Sequence, residues 1–178
     1  MLQKSNIDKV AEVFFKEPLQ DHYLKEISKK ANLAHTSVKN YLEDLKREAV
    51  IKESIQKRGS RNFPIYKASR NSGNYKREKR NYNRHNPSFY DLLNYISTNI
   101  MPQTIILFGS YNKGEDDEES DIDIFLQCKK QKIDLSQYEK ELHRKIQLHM
   151  YNNFKKVPKE LKNNIINGTV LRGFLEVF

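Results

Sequence analysis

Along the first third of the chain, apolar residues recur at helical spacing. Ile7, Val10, Ala11 and Phe14 fall at i, i+3, i+4 and i+7, the stripe of an amphipathic helix. Ser5 stands where the N-cap belongs, and the helix ends before Pro18. A second helix is predicted from about His22 to Lys30, with Leu24, Ile27 and Ala31 on one side and a short turn at Asn32-Leu33 after it. A third runs from about His35 to Arg47, with Val38, Leu42 and Leu45 inward. The period then changes. Val50 to Ile55 and Phe63 to Tyr66 are β-rich runs on either side of a basic turn around Gly59, and together they predict a hairpin.

The second half starts with a helix opened by Pro87-Ser88 and ended by Pro102, whose buried face is Phe89, Leu92, Leu93, Ile96 and Ile100. A buried-looking strand, Thr104 to Phe108, then runs into Gly109-Ser110. Ten residues further on, the alternating run Asp121-Ile122-Asp123-Ile124-Phe125-Leu126 predicts a second strand. A helix of about Leu135 to Arg144, a strand from Lys145 to Met150, and a helix from Lys159 to Asn167 that starts behind Pro158 and stops at Gly168 complete the pattern.

Composition agrees with a folded chain. Of 178 residues, 37% are hydrophobic and 11% aromatic, more aromatic than disordered segments usually are. The longest apolar run, Ile105 to Phe108, is far short of the ~20 residues that cross a bilayer. No secretory signal is visible, and the single cysteine, Cys128, offers neither a disulfide nor a thiolate zinc site. The expectation is a cytoplasmic protein with no membrane partner. The net charge is +9, and it is concentrated: residues 57–84 hold ten basic residues and one acidic one. The expected organisation is therefore an N-terminal domain over 1–68, a basic linker over 69–87 and a C-terminal domain over 88–178.

The chemistry sits in the C-terminal half. Residues two apart in a strand share a face, so Asp121 and Asp123 present two carboxylates together while Ile122 and Ile124 face the core. Paired carboxylates repel unless a cation lies between them, and hard oxygen ligands favour Mg²⁺ or Mn²⁺. Gly109 and Ser110, at the end of a strand, offer backbone N–H groups and a hydroxyl to a phosphate. Each feature alone is ordinary, since Gly-Ser is common in turns and Asp-Ile-Asp-Ile suits any half-exposed strand; their combination points to a nucleoside triphosphate with a divalent metal. Lys113 is a weaker candidate for phosphate contact, and the acidic run Glu115 to Glu119 is expected to be a solvated loop.

Two resemblances extend this reading. Three helices followed by a hairpin resemble a winged helix domain, which implies that the third helix presents His35, Thr36, Ser37, Lys39 and Asn40 to the major groove. Lys57, Arg58 and Arg61 at the wing would then meet phosphates or the minor groove. Leu107-Phe108-Gly109-Ser110 followed by Ser120-Asp121-Ile122-Asp123 is similar to the core of the polymerase-β-type nucleotidyltransferases, in particular the minimal ones. That resemblance implies an α+β fold with a mixed sheet and flanking helices, phosphate binding at Gly109 and Ser110, metal binding at Asp121 and Asp123, and a third carboxylate on a later strand. The chain departs from the family there. Gln147 occupies the expected position, with His149 on the same strand face. His149 as base or a nearby acid, Glu139 or Glu141, could take the missing role, or the domain could bind nucleotide without turnover. The implied function is Mg-dependent transfer of a nucleoside monophosphate from NTP to a hydroxyl of an unidentified acceptor. The alternative is a DNA-binding regulator whose degenerate transferase domain senses nucleotide or holds a protein partner, including an antitoxin-like role.

Overall fold

The computed structural model describes residues 5–177, apart from the side chain of Arg58. The chain divides after Tyr82 into two compact units.

In the first unit, α1 (Asn6–Lys16) is capped by Ser5, whose hydroxyl accepts from the Asp8 N–H while the Asp8 carboxylate accepts from the Ser5 N–H. Its buried face is Val10, Ala11, Val13, Phe14 and Phe15. Helix α2 (Leu24–Ala31) begins two residues later than the spacing predicted, because His22 and Tyr23 form a short strand, β1. Ladder pairing to Tyr66 and Ile65 outweighs helix extension there. The His22 ring is buried edge-on against Phe14 at 5.3 Å. Asn32, at a left-handed φ of 53°, ends α2, and α3 (His35–Arg47) follows with Val38, Leu42 and Leu45 buried. Strands β2 (Ile51–Arg58) and β3 (Arg61–Ala68) pair antiparallel around Gly59-Ser60, with Gly59 at φ 60°, giving the sheet order β1-β3-β2.

Residues 69–87, expected as a linker, instead contain α4 (Gly73–Arg84). The basic run hides a helical pattern, for Tyr75 and Tyr82 lie seven residues apart, and their rings pack on Phe15 at 5.6 and 5.4 Å. The Tyr75 hydroxyl also donates to the Phe14 carbonyl at 3.3 Å. Charge at the surrounding positions, the buried Lys79 among them, masked the tyrosine spacing.

In the second unit, α5 (Pro87–Ile100) is capped by Asn86 and ends at Met101, φ 49°. Then come β4 (Ile105–Phe108), α6 (Gly109–Lys113), β5 (Ile122–Gln127), α7 (Ser136–Leu142), β6 (Ile146–Tyr151), a 3₁₀ turn (Phe154–Lys156), α8 (Lys159–Ile166) and β7 (Thr169–Arg172). The sheet order is β6-β5-β4-β7, with β5 and β6 parallel and the other pairs antiparallel. One face packs Ile105, Leu107, Ile122 and Ile124 with the apolar side of α5. The other packs Ile106, Phe108 and Phe125 with Phe154, Val157 and Ile165. Strand β7 was not expected, and Gly168 does more than end α8. A Cβ there would lie 2.6 Å from Ile106 Cγ2 and 2.7 Å from the Leu107 carbonyl oxygen, so glycine is what lets β7 reach β4.

Candidate active site

The four buried residues of β4 leave the chain no freedom to curl until Gly109, which turns it at φ 75° into α6. Glycine is needed there twice, because a Cβ would also run into the Asp123 carboxylate. Phe108 is registered opposite Asp123, and Asp123 opposite Gln147. The Gly109-Ser110 turn, Asp123 and Gln147 therefore come together on one face of three adjacent strands. Asp121, just before β5, and His149, two residues along β6, extend the same group.

Side-chain contacts join these residues in pairs. The Gln147 amide donates to Asp121 Oδ2, and His149 Nε2 lies 3.2 Å from Asp123 Oδ1. The His149 ring rests against Phe108 at 5.1 Å. Asp123 and His149 are about a quarter exposed, 26% and 23%, so a ligand can reach them while their apolar neighbours stay buried. The expectation that Gln147 and His149 share a face with the carboxylates holds in this geometry. Asp121 and Asp123 supply hard oxygen donors, and the space a Gly109 Cβ would fill lies directly over one of them. Among the described residues no three His, Cys, Asp or Glu side chains converge to hold a metal ion. Lys113 lies exposed at the far end of α6 from Ser110.

The acidic run is not simply solvated, contrary to expectation. Asp116 is 1% exposed, and its carboxylate accepts from Asn83 Nδ2 at 2.9 Å and Arg144 Nη2 at 3.0 Å. Asn83 also donates to the Tyr111 carbonyl at 2.9 Å and accepts from the Tyr111 hydroxyl at 3.3 Å. Burial, reinforced by the Asp116 charge, pushes the Tyr111 phenol well above its usual range. Asn112 accepts from Arg84 at 2.9 Å and from Thr169 at 2.8 Å. Together these bonds clamp α6 and the loop behind it. Sequence reading missed Asn83, Asp116 and Arg144, because an Asp among five consecutive acids carries no mark of burial.

In the first unit, His35, Thr36, Lys39 and Asn40 are exposed along the start of α3 and Ser37 is half-buried. Lys57 and Arg61 are exposed beside the hairpin turn, whereas the Arg58 side chain lies outside the described set. The acids further along α3 are paired: Glu43 with Lys46 at 2.8 Å and Asp44 with Arg47 at 2.5 Å. Glu43 and Glu53 together hold the Lys46 ammonium well above its usual range.

Residues 91–173, within the second unit, match the family described as Polymerase beta, Nucleotidyltransferase. No curated protein matches the chain. A solved structure described as a "Possible transcriptional regulator from Methanosarcina mazei Go1" is 23% identical, over 55% of this chain and 78% of that one, with a TM-score of 0.36. None of the described helices is long and apolar enough to cross a membrane.

Proposed function

We propose that the second unit binds a nucleoside triphosphate and transfers its nucleoside monophosphate to a hydroxyl of an acceptor. The observation that carries this reading is the convergence of Gly109-Ser110 with Asp121 and Asp123, glycine being required by both φ and space. Asp121 and Asp123 would hold Mg²⁺ or Mn²⁺, whose charge neutralises the triphosphate and the departing pyrophosphate. Gly109 and Ser110 bind phosphate oxygens through backbone N–H groups and the hydroxyl. The acceptor oxygen attacks the α-phosphorus, the α–β anhydride bond breaks, and pyrophosphate leaves. The acceptor proton passes to His149, the nearest imidazole on the carboxylate face.

The first unit is proposed to be a winged helix that binds DNA, with α3 in the major groove and Lys57, Arg58 and Arg61 on phosphates. The ion pairs of Glu43 and Asp44 remove much of the repulsion those acids would otherwise present to DNA. A second reading is favoured by Gln147. An amide hydrogen-bonded to Asp121 suits a domain that binds nucleotide without turnover and serves a DNA-binding regulator, with a protein partner in an antitoxin-like arrangement as one form of it.

Incubation with each labelled NTP and Mg²⁺ or Mn²⁺ separates the two readings. Turnover that Asp121→Asn with Asp123→Asn abolishes supports the transferase. Binding that the same double change abolishes, with no turnover in the wild type or in Gln147→Asp, supports the sensor. Failure of any NTP to bind sinks both. For the first unit, duplex affinity should fall steeply with salt; affinity independent of salt refutes the phosphate-contacting wing.

A further inference from the structure

Strand β6 is the last strand on its side of the sheet, paired with β5 on one edge and with no strand on the other. The Lys145 carbonyl accepts from the Ile122 N–H at 2.8 Å, and the Tyr151 carbonyl from the Cys128 N–H at 3.1 Å. The odd-numbered residues of β6 therefore turn their backbone groups toward β5, and the alternate ones, Ile146, Leu148 and Met150, turn theirs outward. One outward donor is covered, since the Ile146 N–H donates to Glu139 Oε1 at 3.0 Å. The N–H and C=O groups of Leu148 and Met150 have no partner among the described residues. An edge of this kind is a template for another strand, and folded proteins usually blunt or cover it. Here a groove of about 610 Å³ lies beside it, walled by Leu148 to Tyr151 and by the loop between β5 and α7. On one strand face, Leu148 and Met150 join Ile133 and Leu135 of the loop in the apolar cluster under α5. His149 and Tyr151 belong to the other face. The loop adds Lys130 and Lys132, both exposed and neither paired with a carboxylate among the described residues. The groove wall contains no Asp or Glu.

We propose that the β6 edge receives an extended acidic peptide of a partner protein as an added strand. Main-chain bonds to Leu148 and Met150 would fix its register, as in other strand-addition complexes. Its side chains alternate between the two faces, so one set packs against Ile133, Leu135, Leu148 and Met150 while the other stands beside His149. Acidic residues of the peptide meet Lys130 and Lys132. The Cys128–Tyr151 bond sets the start of the loop at the C-terminal end of β6, which places those acids at the N-terminal end of an antiparallel peptide or the C-terminal end of a parallel one. A nucleic acid would satisfy the lysines, but it has no ladder of N–H and C=O groups for the edge and no aliphatic side chains for the apolar face. The docked strand borders the carboxylate site through His149, yet its binding requires neither nucleotide nor metal.

Fluorescence anisotropy on the full chain, without NTP or divalent metal, tests the docking apart from the nucleotide reading. The probes are short, end-blocked, labelled peptides of alternating valine and serine, with paired glutamates at the N-terminal end in one and at the C-terminal end in the other. One of them should bind. Lys130→Glu with Lys132→Glu, both at exposed positions, should weaken it about tenfold. N-methylation of the peptide amides that face β6 should weaken it at least about tenfold, whereas N-methylation of the alternate amides should leave affinity unchanged. Binding of neither peptide overturns the proposal, and so does binding that is indifferent to which amides are methylated. A thymidine oligonucleotide that binds as tightly as the better peptide, and loses as much to the charge reversal, overturns it in favour of a nucleic acid.

Discussion

Replacing Asp116 by alanine tests whether the acidic loop is an anchor or a solvated run. The carboxylate is fully buried, and it accepts one bond from the Asn83 amide and one from the Arg144 guanidinium. Truncation removes one of the two acceptors of the Asn83 amide and strands a cation whose side chain is 9% exposed. Removing one partner of a buried ion pair typically costs about 3–5 kcal/mol, a large share of the ~5–15 kcal/mol that holds a domain together. Asp116→Asn keeps the shape and loses the charge, so it should cost less, about 1–3 kcal/mol. The sequence contains no tryptophan; far-UV circular dichroism in urea is therefore the equilibrium readout. Amide exchange in β4 and β5 isolates the second unit, since local and global opening differ in free energy across a structure. A solvated loop predicts the opposite sign of reasoning: removing one of five neighbouring acids would relieve repulsion and change stability by less than about 0.5 kcal/mol. A measured loss under about 1 kcal/mol for Asp116→Ala refutes the clamp.

Gly109→Ala should cost about 1–3 kcal/mol, because it combines a left-handed φ with a collision against Asp123; NTP binding should fall with it, and wild-type binding in this variant would show that the turn does not shape the site. Gly168→Ala places a methyl 2.7 Å from the Leu107 carbonyl oxygen, a backbone contact that cannot yield cheaply, and should cost about 1–3 kcal/mol in urea titration. Amide exchange in β7 should rise first, and unchanged exchange there would show that the close approach is not required. Tyr75→Ala empties a site that is 1% exposed and should destabilise the first unit by about 3–5 kcal/mol; near-neutral stability would restore the linker reading of residues 69–87.

The helices and strands that repeat a pattern were legible from the sequence. α1 and α5 each declare an apolar stripe closed by a proline, α3 declares one by spacing alone, the β4 run is apolar and short enough for a buried strand, and β5 shows by its alternation. What stayed hidden depended on partners distant in sequence. His22 and Tyr23 look helical until Tyr66 and Ile65 are beside them. In α4 the tyrosine spacing is plain once the helix is known, yet ten basic residues in 57–84 outweigh it in any local reading. β7 is four residues long with two of them exposed, so neither alternation nor hydrophobicity marks it. At the site, the Gly-Ser turn and the Asp-x-Asp strand could be named because their chemistry is local. Asp116 and Arg144 lie 28 positions apart and could not.

Gln147 is the residue through which fold and function constrain each other most directly. Parallel pairing of β5 and β6 sets Asp123 opposite position 147, so a carboxylate there would be a third negative charge on one small patch, with like charges disfavouring ionisation. An amide reverses the sign of the contact, because it donates to Asp121 where an acid would repel it. His149 does the same for Asp123 from two residues along the strand. Each carboxylate of the pair thus has a hydrogen-bonding neighbour from β6. The same neighbours occupy carboxylate lone pairs that a metal would use. A cation held by Asp121 and Asp123 would share each carboxylate with the β6 side chain already bonded to it, since each keeps a second oxygen free of those contacts.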